Sequence, residues 1–517
     1  MTAYICATHY FGAANIGNFW STFISKSVVD DFRRIRADGF THVILIVPWT
    51  QFHPDISSAE IAPVYRARLD FLFRNARTAG LRVILRLGYL WELCPTPYST
   101  YDRIKDLPTS AALMRAWKTY FRLMRKEVAN RAVFEFAFVS WEDWYWPIYK
   151  EIPTLPLEQR IKYAGDSGYR DFLKLRYDLN DLRRRYDITA DDWAEIAVPM
   201  STEAAIWEYS VFFDTILSDR IFNAAESSFP GLSFEFRIDE DPLPSREPVG
   251  RTYYPWGIER QTSGRQITYY HPQVGKGGTT THSAEAAATQ LAKVLHRFSV
   301  NERRNPRVFL DQFNFYTQNP QFPNFSQIDA GELERFICSV ADTLIKESSG
   351  YAVWGYRDWI NDKLYNGTFE LGLDGWSHIA VQPSEKGEQG AVLLVSGSRL
   401  EQKIGTWPVK KSKVLLQGYS ESESNIVLLL SGAPGREIRL GQGRFDERIE
   451  VGEGPATTSI GIEVRSGSLL LRRVAIYTHM LSSGLYKFDR TGRASVAAMR
   501  TLNARLAEAA APPERAV

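Results

Sequence analysis

The 517-residue chain carries 62 basic and 60 acidic side chains and no long basic block, which argues against nucleic acid or an anionic membrane as a partner. Its three cysteines, Cys6, Cys94 and Cys338, are far apart and odd in number; they form neither a disulfide framework nor a metal-ligand cluster, and they point to a reducing compartment. No stretch approaches the roughly 20 apolar residues of a membrane span, and "MTAYICATHYFGAANIG" lacks a basic start followed by a long apolar core, so a cytoplasmic protein is expected.

In chain order, short apolar runs alternate with amphipathic stretches. "AYICATHYF" reads as a strand, "SKSVVDDFRRIRADGF" as a helix, "THVILIVPW" as a strand and "APVYRARLDFLFRNARTAG" as a helix ending at glycine. "LRVILRLGYLW", the helix "SAALMRAWKTYFRLMRKEVAN" and the strand "AVFEFAFVSWED" follow. After a longer excursion, "TEAAIWEYSVFFDTILSDRIFNAAESSFPG" reads as one helix and "LSFEFRID" as the fifth strand. "ITYYHPQ", "RVFLDQFNFY" and "GYAVWGYRDW" complete eight strands, with the helices "SAEAAATQLAKVLHRFSVNE" and "DAGELERFICSVADTLIKESS" between them. Continuous apolar strands separated by helices mean a parallel sheet covered on both faces. Eight of them match an α/β (β/α)8 TIM barrel, and no glycine-rich phosphate loop follows the first strand to favour a dinucleotide fold.

From Asn366 the texture changes to short strands and glycine turns, an all-β module. "GLYKFDRTGRASVAAMRTLNARLAEAA" then returns to a helix, which the eighth strand still lacks. The expected organisation is a barrel over 1–365, completed by the last helix within 480–510, with a jelly-roll sandwich over 366–479 inserted between strand 8 and helix 8, and a frayed tail over 511–517.

In such barrels, function gathers at the C-terminal ends of the strands. Those ends carry His9, Trp49, Arg86, Trp91, Trp141-Glu142-Asp143, Arg237 with Asp239 and Asp241, Tyr270-His271, Asp311-Gln312, and Trp354 with Arg357 and Asp358. This set of acids, arginines and aromatics contains no metal-ligand pattern, and no cofactor is implied. Aromatic residues make up 13% of the chain; they suit stacking on the apolar faces of sugars, and equally the packing of a large barrel.

Here the sequence resembles the large (β/α)8 clan of retaining glycoside hydrolases. The likeness spans Tyr4 to about Trp359 and the closing "GLYKFDRTGR…AMRTLN". That clan ends strand four with its acid/base Glu, strand seven with its nucleophile Glu, strand six often with a His/Tyr pair, and strand eight with a sugar-lining Trp. The resemblance therefore implies that "SWED" places Glu142 as acid/base, although Trp141 precedes it where the clan commonly has Asn. "YYHPQ" and "AVWGYRDW" correspond to the strand-six and strand-eight motifs. Strand seven departs from the pattern: "LDQFN" aligns Gln312 with the nucleophile and leaves Asp311 beside it. An amide cannot form a glycosyl ester, and the two side chains cannot both point inward unless the strand end twists or bulges.

The chemistry needs two carboxyls, about 5 Å apart for retention or about 6.5–9.5 Å for inversion. Glu142, set among Trp141, Trp144 and Trp146, is expected to act as the acid, with its pKa raised by desolvation. Its partner is expected to be Asp311 first, then Asp239, which shares a strand face with Glu235 and Arg237. His9, Trp49, Arg86, Trp91, Trp141, Tyr270, His271, Gln312, Trp354 and Arg357 are the expected substrate contacts. The inserted module resembles jelly-roll carbohydrate-binding modules through Asn366-Gly367-Thr368-Phe369-Glu370 and Trp376. Many of those hold Ca²⁺ with an acidic pair in the last strand, where Arg472-Arg473 stand here, so no ion is expected. The expected function is hydrolysis of an oligo- or polysaccharide. The alternatives are a catalytically impaired glycan-binding or scaffold protein, a transglycosidase and a polysaccharide lyase; the oligomeric state is open.

Overall fold

Runs of apolar residues with no polar alternation can be satisfied only where both faces of a strand are covered, and eight such runs close here into a parallel ring. The strands are β1 (Ile5–His9), β2 (His42–Pro48), β3 (Arg82–Tyr89), β4 (Phe134–Ser140), β5 (Ser233–Phe236), β6 (Gln266–Tyr270), β7 (Val308–Phe313) and β8 (Ser348–Val353). They pair in sequence order, with β8 returning to β1. The computed structural model describes residues 4–13, 15–92, 98–236, 262–270, 281–301, 307–314, 327–383, 390–407, 412–451, 456–481 and 484–510.

Alternation along the strands divides the barrel into two cores. Ile5, Ala7, Ile44, Ile84, Phe136, Phe138, Ile267, Phe309 and Ala352 fill the inside. Their neighbours Val43, Leu45, Leu85, Leu87, Val139, Phe234, Leu310 and Tyr351 face the helices. Helices α1 (Ser25–Ala37), α2 (Pro63–Ala79) and α3 (Ala111–Val128) follow the first three strands. Pro63 opens α2 and Gly80, at φ 71°, closes it, so the chain turns back at the glycine that the sequence marks as a stop.

Two stretches that read as single helices are divided. The segment after β4 runs through a helix, a π-helical turn over Phe213–Leu217, and then α4 (Ser218–Glu226). The wider turn accommodates an extra residue and keeps both Phe213 and Asp214 buried. The segment before β8 breaks at Val340 into α6 (Leu333–Ser339) and α7 (Ala341–Glu347), downstream of α5 (Ala284–Asn301).

Between β8 and the last helix, α8 (Ser495–Ala510), lies an antiparallel eight-stranded sheet. Its 16-residue strand, Val392–Trp407, pairs with Ser468–Tyr477 through its first part and with Thr457–Ser466 through its second, so it belongs to both halves of the module. Trp376, Val392, Leu400, Val414, Ile426, Ile462 and Leu471 come from both halves and share one core, as in a sandwich. Helix α8 packs on α6 and α7, and its Asn503 accepts from the Tyr351 hydroxyl of β8 at 2.5 Å and donates to the Asp38 carbonyl at 2.9 Å. Among the described residues, no helix is long and apolar enough to cross a membrane.

Candidate active site

Strand β7 carries a bulge at its C-terminal end. Its register on β6 passes from Thr268–Leu310 to Tyr269–Gln312, and on β8 from Tyr351–Leu310 to Val353–Phe313. Leu310 and Phe313 both pack outward, against the helix layer. Two residues therefore lie between two outward ones, and the extra residue leaves both Asp311 and Gln312 on the inner side. Both are buried.

His9, inward on β1 after Ala7, anchors the bulge. Its Nε2 stands 3.0 Å from both Oδ1 and the carbonyl oxygen of Asp311. Both of those atoms only accept, so Nε2 carries the proton. The second oxygen of Asp311, Oδ2, is buried with no hydrogen-bond partner among the described residues. The His9 ring packs at 4.8 Å against Trp354, which continues from β8 and also touches Phe11 at 5.7 Å.

Across the barrel, Arg86 projects inward from β3 and is fully buried. Its Nη2 donates to Glu142 Oε2 at 3.0 Å and to Asp143 Oδ2 at 3.1 Å, and Nη1 lies 3.9 Å from Glu235 Oε2 on β5. Burial opposes the guanidinium charge, but Asp143, Glu235, Glu142 and the more distant Asp311 outweigh it and hold Arg86 well above its ordinary value. One cation thus gathers three acids from two neighbouring strand ends, those of β4 and β5. Asp143, buried beside it, accepts further from the Leu90 amide at 3.3 Å. Its pKa is raised to about 7, chiefly by burial; Arg86 opposes the rise, and Glu142 and Glu235 add to it. Below about pH 7 Asp143 therefore holds a proton beside Glu142, whose side chain is the more exposed of the two at 20%.

Local sequence explains the placement of the pair. Strand β4 ends at Ser140, the Trp141 amide donates to the Glu235 carbonyl at 2.8 Å, and the chain turns at once into a short helix over Glu142–Trp144. That turn brings consecutive acids to the same guanidinium. The tryptophans behave differently from the sequence expectation. Trp144 is buried against Phe234, and Trp141 is buried with its indole donating to Asp214 at 2.8 Å and its face stacked on Tyr145. Only Trp146 is exposed, 6.0 Å from Trp91. Glu142 thus rests on a buried cation, and two of the three tryptophans around it are turned into the core.

Of the expected site residues, the structure brings His9 and Asp311 into direct contact, with Gln312 beside them on the bulge and Trp354 against His9, and it brings Arg86 together with Glu142. Trp91 stands exposed with Tyr101 and Trp146. Trp49 lies instead in the core against Trp117 and Tyr120. Arg357 lines a separate cavity and pairs with Asp31 at 3.5 Å. Asp239 and His271 lie outside the described residues, and Tyr270 is placed only as the last residue of β6. Sequence reasoning left Asp143 and Glu235 without a role. For Glu235 the signal was present: it lies between Phe234 and Phe236, which face outward, and so must face in.

No family model matches the chain, and no curated protein matches it. Among solved structures, the chain is similar to a GH5_18 protein from Streptomyces cattleya in complex with GlcNAc, with 17% identity over 69% of this chain and 72% of that one, TM-score 0.43. It is also similar to a GH5_18 protein from Bifidobacterium longum subsp. longum, with 11% identity over 69% and 71%, TM-score 0.44. A third similar structure is a catalytic mutant of a GH42 beta-galactosidase from G. stearothermophilus, with 13% identity over 68% of this chain and 51% of that one, TM-score 0.47.

Proposed function

We propose that this protein is a glycoside hydrolase that cleaves an oligo- or polysaccharide by two-carboxylate catalysis with retention. What supports this reading is that Glu142 follows the C-terminal end of β4 and Asp311 lies at that of β7 in a closed barrel, each held by a buried partner, Arg86 and His9 respectively. Glu142, the accessible member of its cluster, gives a proton to the leaving oxygen as Asp311 attacks the anomeric carbon and forms a glycosyl ester. Glu142 then takes a proton from water, which opens the ester. His9 orients Asp311 by holding one carboxylate oxygen, and the other, Oδ2, has no partner among the described residues to compete for it. Trp354 beside His9, and the exposed pair Trp91 and Trp146, supply stacking faces.

The test is incubation of the full chain with aryl glycosides and polysaccharides, following new reducing ends and the anomer formed first. Release of the anomer with the substrate's configuration supports the reading. Ligand bound and recovered unchanged across the panel would replace it with a glycan-binding barrel, a reading that Gln312 at the nucleophile position favours. An unsaturated, ultraviolet-absorbing product would indicate a lyase, and chain lengthening a transglycosidase.

A further inference from the structure

A cavity of about 190 Å³ lies where the barrel meets the sheet module. Arg357 follows β8, Arg473 and Thr368 come from the sheet module and its approach, Arg490 precedes α8, and Ile24 to Val28 form the start of α1. The wall holds three guanidinium groups and no carboxylate. Asp31, just behind it, is shared: Arg357 reaches it at 3.5 Å, Arg490 at 3.9 Å, and the Tyr10 hydroxyl donates to it at 3.0 Å. Arg490 also approaches Asp30 at 3.6 Å and donates to Ser27 Oγ at 2.9 Å. Arg473, lying 5.6 Å over the Phe488 ring, has no carboxylate within ion-pair distance among the described residues. Burial pulls its guanidinium below the ordinary arginine range; Asp362 acts against this and Arg357 adds to it.

Two further features mark the wall as short of negative charge. The Thr368 hydroxyl and the Arg357 Nε are buried without hydrogen-bond partners among the described residues, on side chains only 4% and 7% exposed. Helix α1 begins at the cavity with no side-chain cap and no acid in its first turn, so its N-terminal partial charge is uncompensated there. A half-buried unpaired cation and orphaned buried donors are each unfavourable, and a bound anion would relieve both.

We propose that this cavity binds a small molecule carrying an oxyanion, a carboxylate, sulfate or phosphate group, held by Arg473, Arg357 and the Thr368 hydroxyl. At about 190 Å³ the space accepts a single acidic monosaccharide or a small phosphate ester, not a glycan chain. Since its wall comes from both the barrel and the sheet module, a bound anion ties the two together. The inference does not rest on the reading of the barrel mouth.

The experiment is calorimetry and thermal unfolding of the full chain with sodium phosphate, sodium sulfate and glucuronate, against sodium chloride at matched ionic strength and glucose as the neutral control. The expected result is a saturable rise in Tm with at least one oxyanion and none with chloride or glucose; saturation separates a site from the general stabilising effect of sulfate. Phosphate or sulfate alone would assign a tetrahedral anion, and glucuronate alone a carboxylate. Arg473→Met should weaken the binding at least tenfold, whereas Arg472→Met, at the exposed neighbouring position, should keep it. Without anion, Arg473→Met should not lower Tm, because it removes an unpaired, half-buried charge. Thr368→Val, read by titration calorimetry, should weaken binding several-fold and serves if the arginine variant does not fold. Absence of a saturable shift with every oxyanion, or an undiminished shift in Arg473→Met, overturns the proposal.

Discussion

His9 and Asp311 are joined twice: one imidazole N–H faces both the carboxylate and the main-chain carbonyl of the same residue, each at 3.0 Å. The double contact fixes the bulge of β7 as well as the side chain, because the carbonyl belongs to the bulged backbone itself. His9 is therefore a positioning residue for Asp311 in the proposed mechanism.

Asp311→Asn should abolish the proposed hydrolysis by at least about 10³-fold while leaving the fold intact. Azide, a small anionic nucleophile, should restore turnover in Asp311→Gly and give a glycosyl azide of inverted configuration. Steady-state rates and NMR of the azide product check this. If instead Gln312→Glu raises activity tenfold in the parent background, the nucleophilic role does not belong to Asp311.

Glu142→Ala should lower kcat/KM by ~10²–10⁴-fold for substrates with poor leaving groups, as expected on losing a general acid. Aryl glycosides with good leaving groups need little protonation and should lose far less. A uniform loss across leaving groups would assign Glu142 to binding rather than proton transfer.

Arg86→Met leaves Glu142, Asp143 and Glu235 without their shared cation inside the barrel. Removing one partner of a buried ion cluster costs roughly 3–5 kcal/mol. Denaturant unfolding near neutral pH should show that loss, and it should shrink toward acidic pH as the carboxyls take up protons.

Asp143 gives stability a pH dependence of definite sign. Its folded pKa, about 7, lies above the ordinary value of 3.8, so between those values the folded chain binds more protons than the unfolded one. Stability from this group is present at acidic pH and is lost as pH rises through about 7. Asp143→Asn should flatten that fall. Asp362, buried where the chain enters the sheet module and likewise raised to about 7, should leave a residual slope. Unfolding free energies measured across this window decide the point; an unchanged slope in Asp143→Asn would refute the assignment.

The alternation of strands and helices was legible because each barrel strand is buried on both faces and must be apolar throughout, a property of local sequence. Glu142 was legible at the end of β4 for the same reason: the apolar run stops there. The two divided helices were not legible, since the π-helical turn at Phe213–Leu217 answers to tertiary packing around Phe213 and Asp214 rather than to helical periodicity.

What the sequence determined by itself was which residues reach the rim; what they do there was decided by the neighbours that the ring brings alongside. Arg357 and Trp49 stand at strand ends in the sequence, yet one turns to Asp31 and a cavity beside α1 and the other into the helix layer. Asp143 and Glu235 enter the site because Arg86, two strands from Glu235, carries a charge that must be balanced once it is buried. Asp311 and Gln312 share the inner side because β7 slips by one residue against both β6 and β8. Burial of a residue follows from its own chain, but ion pairing and strand register are properties of at least two segments, and only the closed barrel sets them.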